Sequence, residues 1–198
     1  MARRQVAGTP ALVALQRAGI THTVHVYDHE PGRQDYGLEA AQALGVETAS
    51  VFKTLLADVD GSPVVAIVPV TGMLDLKALA ALRRAKRARM LEAAAAERLT
   101  GYVVGGISPF GQRTALPTVL DASALDLDVV YVSGGRRGLD IGVAPGDIIA
   151  ITEAAVGPLS TAASASMVGP GGSAKPPLSG YPGGSAKPPL SGSFGDQE

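Results

Sequence analysis

Lys53 stands where a buried strand would carry an aliphatic residue. The surrounding run SVFKTLLADVDG, residues 50–61, reads as a strand entering a turn, and side chains alternate faces along a strand. Val51, Lys53 and Leu55 therefore share one face and Phe52, Thr54 and Leu56 the other, and both faces are largely apolar. An ammonium in that setting either snorkels to water along its own stem or points into a cavity that receives an anionic group.

Other residues offer chemistry in a less specific form. His22, His25 and His29 fall within eight residues, but His22 and His25 face opposite ways on a strand and no Cys exists to complete a ligand set, so neither a metal nor a cofactor is expected. Asp28, His29 and Glu30 could supply an acid and a base, yet they end a strand ahead of Pro31 and Gly32, where exposed polar residues collect. The lack of Cys also excludes disulfides and a catalytic thiol, and no G-x-S-x-G elbow presents an activated serine. Two glycine-rich stretches, TGYVVGGISPFG at 100–111 and SGGRRGLDIG at 133–142, each follow an apolar, strand-like run. Such glycines permit positive φ and let a ligand approach amide N–H groups, although a tight turn explains either stretch equally well. Neither matches the phosphate loop of nucleoside triphosphatases. The basic run RRAKRAR, Arg83–Arg89, is read as a helix end, where cations complement the dipole; as a phosphate-contacting patch it needs another feature that calls for a polyanionic substrate.

The elements that must hold these residues are punctuated clearly. TPALVALQRAG starts with a Thr cap and Pro at the first helical position and stops at Gly19. THTVHVYD predicts a strand and YGLEAAQALG a helix ending at Gly45. SVFKTLLADVDG and PVVAIVPV predict two strands joined through Asp60-Gly61. DLKALAALRRA and LEAAAAERL are helical, TVLDAS, DVVYVSGG and GLDIGVA are strands, and a short helix runs from near Pro145 to before Gly157. Strands outnumber helices and several follow one another directly, which predicts a single α+β domain over residues 1–156, with a mixed, partly antiparallel sheet wrapped by helices.

Length and composition bound the rest. The chain has 198 residues and a formal net charge of -1, enough for one domain with surplus and incompatible with a globally basic nucleic-acid coat. The N-terminus starts basic but lacks a signal-peptide core, and no stretch reaches the length of a membrane span; a soluble, cytoplasmic protein without a membrane partner is expected. From Gly157 to Glu198 Pro, Gly and Ser dominate, and GGSAKPPLSG occurs at 171–180 and again at 183–192. Such a segment cannot offset its ordering entropy and is read as a disordered tail, with its KPPL units as an alternative polyproline ligand for a partner not identified by the sequence.

Taken in order and spacing, YGLEAAQALG, VFKTLL, TGYVVGGISPFGQ, LPTVLDASAL and VYVSGGRRGLDIGVAP closely resemble the YbaK/EbsC family of aminoacyl-tRNA deacylases, which is related to the inserted editing domain of bacterial prolyl-tRNA synthetases. The resemblance covers roughly residues 8–155 and is greatest toward the Cys-tRNA(Pro) deacylase branch. It implies a YbaK-like fold with a central crevice, and hydrolysis of the ester between an amino acid and the terminal ribose of tRNA. The family's essential lysine falls on Lys53, its G-x-x-x-P loop on Gly105–Pro109, including Gly106 and Ser108, and its tyrosine on Tyr27. In that branch the cysteinyl thiol or a ribose hydroxyl of the substrate assists the reaction.

Under this resemblance Lys53 faces the crevice as a positioned cation. Gly105 and Gly106 are expected to offer N–H groups to the ester carbonyl; losing one such donor typically costs about 2.7–4 kcal/mol of barrier. Tyr27 is expected to shape the aminoacyl pocket, and Arg136 and Arg137, beside Gly134 and Gly135, to hold phosphates near the tRNA acceptor end. The basic run at Arg83–Arg89 is a second candidate for the acceptor stem. Prolyl-tRNA synthetase is an expected partner. Deacylation of another small amino acid, such as Ala-tRNA(Pro), and a non-catalytic tRNA- or synthetase-associated module are the alternatives.

Overall fold

The computed structural model describes residues 8–162. Helix α1, Pro10–Arg17, begins as its sequence dictates: the Thr9 hydroxyl accepts the Leu12 N–H at 3.3 Å, Pro10 fills the first helical position, and Ala11, Leu12 and Leu15 are buried. Strand β1 (His22–Val26) leads through a loop to α2 (Tyr36–Leu44), which stops at Gly45 in the left-handed conformation. The long hairpin of β2 (Phe52–Val59) and β3 (Ser62–Pro69) is followed by β4 (Gly72–Leu74), α3 (Leu76–Leu82), β5 (Ala88–Met90) and α4 (Ala93–Thr100). Then come β6 (Thr118–Asp121), β7 (Val130–Arg136), β8 (Leu139–Val143), α5 (Pro145–Thr152), β9 (Ala155–Gly157) and β10 (Ser160–Ala162).

These strands form a mixed α+β domain of the expected kind. The largest sheet has the order β5-β2-β3-β6-β9, antiparallel across β5-β2-β3 and parallel across β3-β6-β9. A three-stranded antiparallel sheet, β1-β8-β7, meets it where Val51 bridges Tyr131, and among the described residues β4 pairs only with β10. One face of the large sheet contributes Phe52, Leu56, Val65 and Ile67 to a core shared with α1, β7 and β8. The other face packs Leu55, Ala57, Val64 and Val68 against Leu79 of α3 and against Leu159. Burial of apolar surface on both faces explains why β2 and β3 read as nearly continuous aliphatic runs.

Three expectations are corrected. Residues 101–117 hold no strand, so the Gly105–Gly106 pair sits within a loop instead of after a strand. That loop is pinned by the Tyr102 hydroxyl, which donates to the Phe110 carbonyl at 2.7 Å, and by Gln112 Nε2, which donates to the Ser108 carbonyl at 2.9 Å. The basic run is only partly a helix end: Arg83 is the C-cap of α3, whereas Arg89 lies in β5, where its guanidinium meets Asp58 at 2.7 Å. The helix after Pro145 runs to Thr152, ending before Gly157 as expected, and strand β9 (Ala155–Gly157) follows it. Residues 157–162, assigned by composition to the tail, belong to the folded body, because Leu159 is fully buried and β10 pairs with β4. The repeated GGSAKPPLSG units lie outside the described residues. Among the described residues no helix is long and apolar enough to cross a membrane.

Candidate functional site

The site starts from an interruption in the sheet. Strand β3 pairs with β2 along its length, but β5 reaches only Ala57–Val59 and β7 touches that edge only at the Val51–Tyr131 bridge, so among the described residues no strand pairs with the Phe52–Leu55 edge of β2. A cavity of about 280 Å³ opens along that edge. Because the free edge gives access to both faces of the strand, Lys53 and Thr54 line the same cavity although their side chains alternate. The opposite wall comes from Tyr27, from Tyr36 and Gly37 of α2, from Gly105, and from Ser133 of β7 and Asp140 of β8. Val70, Gly72 and Leu74 complete it on the β4 side.

Lys53 is half-buried, and its Nζ donates to the Gly72 carbonyl at 2.8 Å. An ammonium has three donors, so this contact orients the group and leaves capacity for a ligand. Burial lowers its pKa from the ordinary lysine value. No carboxylate lies within 4 Å of it among the described residues.

Two carboxylates line the cavity: Asp35, which is paired with Arg33 at 2.6 Å, and Asp140, which is buried and pairs with no cation among the described residues. Burial pushes its carboxyl up to about 6, the charge of Glu39 adds to the rise, and a hydrogen bond from Tyr27 opposes it. Tyr27 in turn is driven above the usual phenol range by burial first and by the Asp140 charge second. Neither Asp140 nor Lys53 neutralises the other. Two hydroxyls of the cavity wall, Thr54 Oγ1 and Ser133 Oγ, are buried without a hydrogen-bond partner, which is costly unless something else supplies one.

Gly105 closes the wall on the loop side. Its φ of 84° favours glycine, and a Cβ built there would lie 2.8 Å from the Tyr36 ring. Its amide has no acceptor among the described residues. The loop is held against the turn after β7 by Arg137 Nε, which donates to the Val104 carbonyl at 2.9 Å, and the Arg137 guanidinium stacks 5.1 Å from the Tyr36 ring centre.

Of the residues singled out in the sequence, Lys53, Gly105 and Tyr27 meet in this cavity. Gly106 does not donate into it: its amide is committed to the Val103 carbonyl at 2.9 Å, and its Cα packs against the backbone of Arg136. Ser108 and Pro109 are buried behind the wall, with Ser108 Oγ accepting the Phe110 N–H. Gly134 and Gly135 are packing positions, against Leu139 and Ile141 and against Tyr102 and Thr9 respectively. Arg136 and Arg137 are exposed, and Arg137 reaches the rim through Tyr36. The three histidines are engaged separately, with the Ile20 carbonyl, Thr23 and Glu39, and no group of three His, Cys, Asp or Glu among the described residues could hold a metal. Thr54, Ser133, Tyr36 and Asp140 were not singled out. For Asp140 a signal existed, a carboxylate between Leu139 and Ile141 in an otherwise apolar strand.

The chain and its fold are similar to those of known proteins. The model of the aminoacyl-tRNA editing domain matches residues 31–151. A protein of Enterococcus faecalis, EbsC, named as a candidate Cys-tRNA(Pro)/Cys-tRNA(Cys) deacylase, is 38% identical over 122 residues, 61% of this chain and 74% of its own. A crystal structure of a candidate trans-editing enzyme for prolyl-tRNA synthetase superposes with a TM-score of 0.67 at 26% identity, over 77% of this chain and 95% of that one. The hypothetical protein APE2540 superposes with a TM-score of 0.71 at 25% identity, over 77% of this chain and all 100% of that one. The cavity built on Lys53, Tyr27 and Gly105 therefore sits in a chain that belongs to the aminoacyl-tRNA editing domain family and is a hydrolase of aminoacyl-tRNA.

Proposed function

We propose that the protein removes cysteine from Cys-tRNA(Pro), with the aminoacyl group seated in the β2-edge cavity. The observation that carries this reading is a small cavity in which the Lys53 ammonium and the Asp140 carboxylate do not neutralise each other, the other carboxylate of the lining, Asp35, being paired with Arg33. An aminoacyl ester is complementary to that pair. Its α-ammonium suits Asp140, and its carbonyl oxygen, which gains negative charge during hydrolysis, suits Lys53 and the free Gly105 amide. Thr54 and Ser133 offer hydroxyls for the ester or the terminal ribose, and Tyr27 orients Asp140.

The nucleophile comes from outside the protein. Neither Cys nor His lines the cavity, and Ser133 Oγ has no hydrogen-bonded base to activate it. A water positioned by a ribose hydroxyl of the substrate attacks the ester carbon, its proton passing to the 3′ oxygen, and releases free cysteine; alternatively the cysteinyl thiol attacks, its proton passing to the 3′ oxygen, and releases a cyclic thioester that water then opens. The pair formed by Lys53 and Gly105 stabilises the resulting oxyanion, and the 3′ oxygen of the tRNA leaves with a proton. Arg136, Arg137 and the exposed residues of the 83–89 run contact phosphates of the acceptor arm, and prolyl-tRNA synthetase is the partner that would deliver the mischarged tRNA. The relatives' names support cysteine over alanine as the amino acid removed.

The reading is tested by incubating the full chain with Cys-tRNA(Pro), Ala-tRNA(Pro) and Pro-tRNA(Pro) and following loss of each ester against the uncatalysed rate. Loss of cysteine well ahead of the other two is expected. Preferential loss of alanine would reassign the substrate, and no loss from any of the three would overturn the reading.

A further inference from the structure

The strongest unabsorbed observation lies at the C-terminal end of the described chain. Asp121, at the end of β6, is buried, and each carboxylate oxygen holds a different piece of backbone. Oδ1 accepts the N–H and the hydroxyl of Ser123 at 3.0 and 2.5 Å, whereas Oδ2 accepts the N–H groups of Leu159 and Ser160 at 2.8 and 2.7 Å. The Leu159 side chain is fully buried beneath β2 and β3, and its carbonyl accepts the Asp75 N–H at 2.7 Å. The next residues form β10, the one strand among the described residues that pairs with β4, in the register Ser160–Leu74, Thr161–Met73 and Ala162–Gly72. Gly72 is the residue whose carbonyl receives the Lys53 ammonium. The family match ends at residue 151, so β9 and β10 lie beyond it.

We propose that residues 155–162 are a positioning strap for Lys53, in which Asp121 anchors Leu159 and Ser160, β10 fixes β4, and the Gly72 carbonyl thereby holds the ammonium at the cavity wall. A three-residue strand such as β4 has too few hydrogen bonds to hold its place alone, so the position of its carbonyl follows that of its partner. The strap serves the hydrolytic role given above and rests on that reading for its purpose, though not for its geometry. Asp121, Leu159 and Ser160 are positioning residues and touch no substrate.

Gly72 makes the claim testable in the full chain. Its φ is not in the left-handed region, so Gly72→Ala is permitted by the backbone, but the new Cβ would lie 2.9 Å from Ser160 Cβ and 3.1 Å from the Thr161 carbonyl. The substitution therefore pushes β10 and β4 apart. Ser160→Gly removes the nearer obstacle and leaves the second, which a shift of a few tenths of an ångström relieves. Two readouts apply to Gly72→Ala, Ser160→Gly and the double variant. One is kcat and KM for Cys-tRNA(Pro). The other is the titration of the Lys53 amine by NMR in protein labelled at lysine, assigned among Lys53, Lys77, Lys86, Lys175 and Lys187 with Lys53→Arg.

The strap predicts that Gly72→Ala lowers kcat about 10- to 100-fold with KM little changed, and moves the Lys53 titration to lower pH because the ammonium loses its acceptor. It also predicts that adding Ser160→Gly restores most of both. Unchanged kcat and titration in Gly72→Ala would overturn the proposal, as would a defect that Ser160→Gly does not relieve. Should Gly72→Ala fail to fold, Asp121→Asn acts at the far end of the strap: a downward shift of the Lys53 titration supports the proposal and an unmoved one overturns it. If the wild-type protein hydrolyses no ester, the functional reading fails while the titration still decides whether the strap positions Lys53.

Discussion

The two ends of strand β2 are built on opposite terms. At the hairpin end both carboxylates have partners: Asp58 takes Arg89 at 2.7 Å and the Gly61 N–H at 2.6 Å, and Asp60 accepts the N–H groups of Lys86 and Arg87 at 2.7 and 3.2 Å. At the cavity end, Lys53 has a single carbonyl, Asp140 has a tyrosine in place of a cation, and Thr54 and Ser133 have nothing. The same strand thus carries polar groups that close a structure and, under the proposed function, polar groups kept open for a ligand. Folding tolerates the second kind only where function requires it, since buried polar atoms without partners cost stability.

The comparison breaks most visibly at Lys53. Lys53→Ala removes a charge and no core volume, so thermal melting should change little while deacylation of Cys-tRNA(Pro) falls by about 100-fold or more. Single-turnover kinetics beside a melting curve would check this. Asp140→Asn should come next and act on two quantities. The folded protein holds the Asp140 proton more tightly than the unfolded chain, so wild-type stability falls as pH rises from about 4 to about 6 and stays low above it. The variant should lack that slope, gain about 2–3 kcal/mol at pH 7 by denaturant titration, and bind the aminoacyl end less well.

Smaller effects are expected at the surface. Reversing the exposed Arg136 to Glu should weaken tRNA binding several-fold and reduce the slope of log affinity against log salt by about 1, leaving hydrolysis at saturating tRNA near wild type. Asp58→Asn, at the satisfied end, should be the mildest: catalysis unchanged, with a small loss of melting temperature that disappears at high salt because Arg89 is exposed. A large catalytic defect from Asp58→Asn would erase the distinction between the two ends.

Much of the architecture could be read from local chemistry. The Thr9-Pro10 start, the glycine stops at Gly19 and Gly45 and the Asp60-Gly61 turn each impose a conformation within a few residues, and the aliphatic runs of β2 and β3 announce burial on both faces. Lys53 was legible for the same reason, as a charge in an apolar run. The remainder depended on partners distant in the chain. Thr54 and Ser133 look ordinary until the absence of an acceptor is visible, and Gly106 looks like a donor until Val103 is found to occupy it. Residues 157–162 look like the start of a tail because Asp121, 38 residues from Leu159, is what anchors them.

Under the proposed function the open polar groups of the cavity serve the aminoacyl ester at the expense of the fold. Single-turnover hydrolysis of Cys-tRNA(Pro) and thermal melting, measured on the same preparations of wild type, Lys53→Ala and Asp140→Asn, test it most directly. The prediction is that both variants melt no lower than wild type, with Asp140→Asn higher, while both hydrolyse the ester far more slowly. Wild-type rates in both variants, or losses of rate that merely track losses of stability, would contradict it.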